Sequence, residues 1–246
     1  MAEGEFYVGY LPAPPGLKRF VRRFVSALAV AVLAGASLVA ALQRPLPSGV
    51  FEFGVQREFE GVLFEEPIPS LRVREGEGAT SYLLVGFGKF GLPPFARGSH
   101  GKTVRFSGSL IYREGMTMIE MNDASSFEVL EAAAGSASER STATIGPVTL
   151  TGELVDTKCY FGVMRPATGK IHRACAIRCL SGGVPPGLLV RDDIDDGMVF
   201  MLAGPRGAPL DFDVEWAART VRVSGTLELH DGMPVVRVSR LALAEG

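Results

Sequence analysis

Alternation of apolar and polar residues predicts a β-hairpin at two places in the chain. Residues 102–123 (KTVRFSGSLIYREGMTMIEMND) and 219–240 (RTVRVSGTLELHDGMPVVRVSR) alternate, break at Glu114-Gly115 or Asp231-Gly232, and alternate again. This period is typical of strands with one buried face, and an acidic residue before glycine is typical of a tight hairpin turn. Eight of the 22 aligned positions are identical, so the chain contains an internal repeat.

A second match extends the repeat toward the N terminus. Residues 60–65 (EGVLFE) align with residues 151–156 (TGELVD), each ahead of one of the hairpins. Each copy then offers about five strands in about 75–100 residues, which suits a small, partly open barrel of the OB type. A small β-sandwich is the alternative. The sequence therefore predicts a mainly β protein with two tandem OB-like barrels.

A long apolar run precedes the repeats. Phe24–Leu42 is 19 residues without a charge, close to the length that spans a hydrocarbon core of about 30 Å. Four basic residues lie just before it: Lys18, Arg19, Arg22 and Arg23. The positive-inside rule predicts a single-pass anchor in a bacterial inner membrane, with a cytoplasmic N terminus and an extracytoplasmic body. A cleaved signal peptide is the alternative, although its apolar core is ordinarily only about 7–15 residues.

These patterns together predict the domain organisation. The segments are a cytoplasmic lead (1–23), a transmembrane anchor (24–42), a first β-domain (43–131), a linker (132–146) and a second β-domain (147–246). The net charge of −2 and pI near 6.0 exclude a strongly basic nucleic-acid surface. The partners predicted instead are the membrane and other subunits of a membrane complex.

The repeat isolates an insertion that carries every cysteine of the chain. The spacing from Gly61 to Gly108 is 47 positions, whereas the equivalent spacing from Gly152 to Gly225 is 73. The second copy is thus 26 residues longer, and the extra length contains all three cysteines and one of the three histidines. Since the first copy folds without such a segment, we expect the insertion to serve function and not core packing.

The spacing within the insertion indicates a metal site. Residues 171–180 (IHRACAIRCL) are good helix formers, and Ser-Gly-Gly follows them. On a helix, His172, Cys175 and Cys179 lie at i, i+3 and i+7 on one face. Cys159 approaches from the end of the preceding strand. Three thiolates and an imidazole suit tetrahedral zinc or another thiolate-bound metal.

Two other interpretations of the cysteines stay open. In an oxidising compartment Cys159 is expected to pair with Cys175 or Cys179, which leaves one thiol over. Alternatively, Arg173, Arg178 and His172 lie near the helical cysteines and favour thiolates, and therefore thiol-exchange chemistry.

The pattern Gly152-x₃-Asp156-x₂-Cys159 followed by His172-x₂-Cys175-x₃-Cys179 resembles a group of small exported bacterial domains without a settled function. The resemblance implies export and an OB-like fold, and it implies no activity. Separately, one N-terminal anchor followed by an exported OB barrel is similar to the haem chaperone of cytochrome c maturation. The haem-attaching histidine motif of that family has no match in this chain.

Two further motifs have ordinary explanations. Gly86-x-Gly88-x-x-Gly91 matches a dinucleotide fingerprint, but Leu-Pro-Pro follows where a helix is required, so we expect a mobile loop. Four aspartates at 192, 193, 195 and 196 precede a glycine, which predicts an exposed acidic turn.

The sequence favours a non-enzymatic role and leaves enzymatic activity open, because no serine-hydrolase elbow, metalloprotease pair or P-loop is present. The function predicted is a membrane-anchored extracytoplasmic binding or assembly subunit, accessory to a membrane redox or transport complex. The alternative is a periplasmic metal-binding or thiol-redox protein that uses the Cys₃His cluster.

Overall fold

A computed structural model describes residues 12–42, 49–76, 78–130, 140–191, 197–206 and 210–244. The chain divides into an N-terminal unit (1–46) and a compact body (47–246). The aspartates of the predicted acidic turn, the first eleven residues and most of the predicted linker lie outside the described residues.

The N-terminal unit contains one long helix, α1 (Pro15–Leu42), none of whose residues is buried. Its 28 residues measure about 42 Å at 1.5 Å per residue, longer than a hydrocarbon core of about 30 Å. Length and composition therefore allow α1 to cross a membrane, as an anchor or as a signal sequence. The orientation and the kind of membrane stay predictions.

The body consists of two β units that follow one another along the chain. The first unit contains β1 (Val50–Phe51), β2 (Arg57–Phe64), β3 (Ser70–Glu75), β4 (Gly78–Gly86), β5 (Thr103–Arg113), β6 (Met116–Met121) and β7 (Glu128–Val129). The second contains β8 (Thr142–Asp156), helix α2 (Gly169–Ser181), β9 (Pro186–Val190), β10 (Met198–Ala203), β11 (Thr220–His230) and β12 (Met233–Leu243). Strand β8 begins before residue 147, where the sequence places the second domain.

Both units close into five-stranded barrels with the same topology. The first barrel runs β2-β3-β4-β6-β5 and closes because β5 pairs with β2. The second runs β8-β9-β10-β12-β11 and closes by pairing β11 with β8. In the first barrel β4 and β6 pair in parallel, and in the second barrel β10 and β12 do so, whereas the other neighbouring strands are antiparallel. The two OB-like barrels are therefore confirmed, and the sandwich alternative is wrong.

Both predicted hairpins are present, and their turns show why an acidic residue precedes glycine. Glu114 and Gly115 have φ of 51° and 78°, and Asp231 and Gly232 have φ of 48° and 86°. Two successive positive φ values define a type I′ turn, whose twist matches the flanking strands and which favours glycine. The repeat thus preserves a turn that sets the register of the last two strands.

The body contains three hydrophobic clusters. One fills the first barrel around Leu63, Leu84 and Phe106, and another fills the second barrel around Leu154 and Val223. The third combines side chains of both barrels with the cysteine insertion, including Val85, Met118, Tyr160, Phe161 and Met201.

The third cluster overturns the expectation that the insertion takes no part in core packing. Tyr160 and Phe161 are each 1% exposed, and burying such side chains stabilises a fold by about 1.5–3 kcal/mol each. Two barrels in series leave a junction between them, and the insertion of the second barrel fills it. The prediction compared the barrels one at a time and therefore missed this junction.

Candidate metal and thiol site

The insertion connects the first two strands of the second barrel, and its local structure brings the cysteines together. After β8 ends at Asp156, the chain makes a single π-helical turn at Cys159–Val163. The Asp156 side chain supports this turn, since its Oδ1 accepts a 2.9 Å hydrogen bond from the amide of Cys159. Helix α2 then carries the other two thiols and ends at Gly182, whose amide bonds to the Arg178 and Cys179 carbonyls. The predicted helix is confirmed.

The sulfur atoms of Cys175 and Cys179 both lie close to that of Cys159. Its Sγ lies 3.7 Å from the Sγ of Cys175 and 3.8 Å from the Sγ of Cys179. Zinc–sulfur bonds of about 2.3 Å in a tetrahedron place neighbouring sulfurs about 3.8 Å apart. The spacing therefore matches two edges of a thiolate metal centre. The three cysteines are free thiols in the structure, and a disulfide stays a prediction.

The structure brings all four predicted ligands to one place, as two overlapping triads. The ligand atoms of Cys159, His172 and Cys175 lie within 4.8 Å of one another, and so do those of Asp156, Cys159 and Cys179. Cys159 belongs to both triads, whereas Cys175 and Cys179 belong to different ones. A single ion held by all four predicted ligands requires one of these two side chains to turn toward the other.

One ring nitrogen of His172 has a hydrogen-bond partner, and the other has none among the described residues. Its Nε2 lies 2.8 Å from Oδ2 of Asp156, and its buried Nδ1 has no hydrogen-bond partner among the described residues. The carboxylate accepts a hydrogen bond from Nε2–H, and in this tautomer Nδ1 carries a lone pair. Metal-ligating histidines commonly have such a carboxylate partner. Nδ1 is therefore the nitrogen available to an ion.

Asp156 is held as a carboxylate although it is fully buried. Burial alone raises the pKa of such a group, but hydrogen bonds from His172 and from the Cys159 amide outweigh this and lower the pKa of Asp156. The ionised carboxylate can therefore accept the hydrogen bond from His172 Nε2. The metal prediction left Asp156 out; the signal available for it was its place at a strand end, three positions before Cys159.

The hydrogen bond between Cys159 and Cys179 shifts the pKa values of these two thiols in opposite directions. It raises the pKa of Cys159, and burial and the Asp156 carboxylate act in the same direction. The same hydrogen bond lowers the pKa of Cys179 against the effect of burial, with help from the ammonium of Lys89. Negative charge in this pair is therefore favoured on Cys179 over Cys159.

A lysine from the first barrel completes the site. The Nζ of Lys89 donates to the Sγ of Cys175 at 2.6 Å and lies 4.0 Å from the Sγ of Cys179. The bond to Cys175 is the main reason that the pKa of Lys89 is raised. The ammonium thus places a positive charge beside both sulfur atoms. No local motif marks Lys89, because only the fold brings it to cysteines more than 80 positions away.

The glycine-rich loop that carries Lys89 packs against the end of α2 and does not stand free as predicted. The amide of Gly91 donates to the carbonyl of Gly182 at 3.0 Å. A Cβ on Gly91 would overlap the carbonyl oxygen of Gly183, and a Cβ on Gly182 would overlap that of Lys89. The glycines of this loop thus permit backbone-to-backbone contact, which is a different use from binding a pyrophosphate.

Lys158 connects the insertion to the first barrel directly beside Cys159. Its side chain is 4% exposed, and its Nζ bonds to the Glu120 carboxylate and to the carbonyls of Gly86 (2.6 Å) and Gly88 (2.7 Å). Arg113 adds a second connection, since its guanidinium lies 4.1 Å above the Tyr160 ring. The candidate site is therefore built from both barrels.

Arg173, one of the residues predicted to favour thiolates, has its charged partner outside the cysteine cluster. The guanidinium of Arg173 bonds to the carbonyl (2.8 Å) and to the carboxylate (3.1 Å) of Glu215. Lys89 supplies the positive charge next to the thiols.

Comparison with protein-family models, with curated proteins and with solved structures finds no match for this chain. The β-barrels and the Cys/His cluster implied by the resemblance to small exported domains are present. Kinship with that group stays a prediction.

Proposed function

We propose that this protein is a membrane-anchored, extracytoplasmic metal-binding protein. Its ion is held at the junction of the two barrels by Cys159, His172 and Cys175, with Cys179 as the further thiolate. One observation carries the proposal. His172 is buried, is oriented by Asp156 and keeps an unpartnered Nδ1, and a ligand nitrogen of its ring lies within 4.8 Å of the Cys159 and Cys175 sulfurs, whose own spacing of 3.7 Å matches a tetrahedral edge.

The donor set favours a soft or borderline ion. Thiolate and imidazole select zinc or monovalent copper over magnesium or calcium, which prefer oxygen ligands. Zinc is our first choice because its four-coordinate sites combine cysteine and histidine in this ratio.

The surroundings support a role at the junction over a role on an open barrel face. OB folds commonly bind oligonucleotides with their second and third strands. In the first barrel, Asp231 of the second barrel meets this region by accepting from Ser81 (2.7 Å) and Arg72 (3.3 Å). The proposed ion would lie within the insertion, beside the loop of the first barrel that carries Lys89.

The assembly-subunit hypothesis is a second candidate, favoured by the surface next to the site. Phe87 and Phe90 flank Lys89 in sequence and are 61% and 64% exposed. Exposed aromatic side chains beside a chemical site suit contact with another protein. A membrane redox or transport complex remains the partner proposed.

The direct test of the proposed function is the metal content of the full chain, purified in detergent under reducing conditions. We expect roughly one equivalent of zinc per chain, retained in competition with a chromophoric chelator. A His172→Ala variant is the control and should retain much less zinc. A reduced, folded wild-type chain that takes up no zinc and no copper would exclude the proposal.

Asp156 should affect zinc affinity through its hydrogen bond to the ligand His172. An Asp156→Asn substitution is expected to lower zinc affinity by about 10–100-fold, because the imidazole loses its orienting partner. Asp123→Asn is a matched control, since this aspartate also accepts a hydrogen bond from a backbone amide, that of Ser125. Equal zinc affinities of the two variants would argue against the assigned role of Asp156.

A further inference from the structure

We propose that the metal-free site also performs thiol–disulfide exchange in a fixed order. Cys175 is the entry thiol, Cys159 is the relay, and Cys179 is the final partner of Cys159. The substrate class is a disulfide of the extracytoplasmic space, either in a protein or in a small molecule. This proposal goes beyond metal binding and does not depend on it.

Accessibility determines which thiol reacts first. Cys175 is partly exposed, whereas Cys159 and Cys179 are 6% and 1% exposed. An incoming disulfide must approach a sulfur atom closely, which the buried pair does not permit without opening the junction. Cys175 also carries the Lys89 ammonium at 2.6 Å, which stabilises negative charge on its sulfur.

Helix geometry determines the second step. Cys175 and Cys179 are four positions apart on α2, and regular helical geometry seldom lets such residues bond to each other. Cys159 approaches from outside the helix and is nearly equidistant from both, at 3.7 and 3.8 Å. It can therefore bond to either thiol after small side-chain rotations, and an electron pair passes between Cys175 and Cys179 only through Cys159.

The chemistry is balanced without a cofactor. The Cys175 thiolate attacks a disulfide R–S–S–R, forms a mixed disulfide and releases the first R–S⁻. Cys159 then passes its proton to the neighbouring Cys179 sulfur as it attacks the Cys175 sulfur, so that the Cys159–Cys175 bond forms and the second R–S⁻ leaves. Finally Cys179 attacks the Cys159 sulfur and displaces Cys175. Two protein thiols are oxidised, one disulfide is reduced, and the two thiol protons leave with two molecules of R–SH.

Lys89 makes Cys175 the better leaving group in the last step. Displacement of Cys175 creates a thiolate 2.6 Å from the Lys89 ammonium. A stabilised thiolate leaves faster. The site therefore stores the disulfide inside the junction and restores the surface thiol.

Oxidation and metal binding exclude each other at this site. Cys159 belongs to both ligand triads and is also the common member of both disulfides. Its oxidation therefore removes one ligand from each of the two triads.

The test follows oxidation of the full chain in detergent after chelator treatment, reduction and removal of the reductant. Oxidised glutathione is added, samples are quenched with acid, free thiols are alkylated, and linkages are mapped by mass spectrometry. The wild type should end with a Cys159–Cys179 disulfide and an alkylated Cys175. Cys159→Ser should accumulate glutathione on Cys175, and Cys179→Ser should stop at Cys159–Cys175.

Cys175→Ser should slow disulfide formation at least about tenfold, because only buried thiols remain. Oxidation of that variant at the wild-type rate would overturn the assignment of the entry thiol. A wild-type end product that links Cys159 to Cys175 would overturn the transfer of the disulfide to Cys159–Cys179. This outcome is read on the wild type, so it does not depend on whether any variant folds. Circular dichroism of each variant checks the fold. The test uses metal-free protein, so a chain that fails to bind zinc can still be tested for exchange. A chain that binds zinc but does not react with oxidised glutathione overturns the exchange proposal and leaves the metal-binding proposal standing.

Discussion

Replacing Lys158 with methionine is expected to destabilise the body by about 3–5 kcal/mol, the largest stability effect that we predict for a single side chain. Lys158 and Glu120 are each 4% exposed, and the ammonium also satisfies two backbone carbonyls. Methionine keeps most of the apolar stem but leaves the Glu120 carboxylate buried without its counter-charge. Urea unfolding of the full chain in detergent, followed by tryptophan fluorescence and circular dichroism, measures the change.

Two further variants separate charge from packing in that experiment. The double variant Lys158→Met/Glu120→Met should regain much of the lost stability, because an apolar pair of similar volume carries no desolvated charge. Arg105→Met removes an exposed ion pair with Glu60 and should change stability little. If Lys158→Met unfolds at the same urea concentration as Arg105→Met, the buried pair does not hold the insertion against the first barrel.

Replacing Cys159 with serine is expected to cause the largest loss of metal binding. Cys159 belongs to both ligand triads found among the described residues, so the change leaves neither triad complete. Loss of a direct thiolate ligand should exceed the roughly 10–100-fold loss that follows removal of an outer-shell partner. Zinc competition titration of the reduced variant measures the effect.

Cys175→Ser and Cys179→Ser are the matched controls for this prediction. Each keeps Cys159 and the ligand triad to which the substituted residue does not belong, so each should lose less affinity than Cys159→Ser. The three substitutions have the same chemistry and lie within the same insertion. Equal losses in all three variants would mean that the ion uses the cysteines as a symmetric set, and the central position of Cys159 would then be wrong.

Much of the site was predictable because its ligands share one short segment. His172, Cys175 and Cys179 follow helical spacing, and Asp156 and Cys159 lie at and just after the end of a strand, so local geometry forms two groups that a short connection keeps close. The division into two triads was not predictable, because it depends on how the turn at Cys159 meets the helix.

Lys89 and Lys158 show the limit of reading the segment by itself. Each is a single lysine without a motif, and each acts across the junction, on Cys175 or on Glu120. Such contacts depend on how the two barrels pack, which a repeat alignment does not describe. The same junction explains why Tyr160 and Phe161 are core residues, against expectation.

The sequence by itself determined the two barrels, their hairpin turns, the apolar N-terminal helix and the membership of the cysteine cluster. These features depend on hydrophobic periodicity, on the preference of positive φ for glycine and on short spacings, all of which act between near neighbours in the chain. Only the tertiary structure decided that the insertion fills the space between the barrels and that two lysines complete the site. Packing and electrostatic contacts between residues many positions apart are set by the closed barrels, because the barrels bring those residues together.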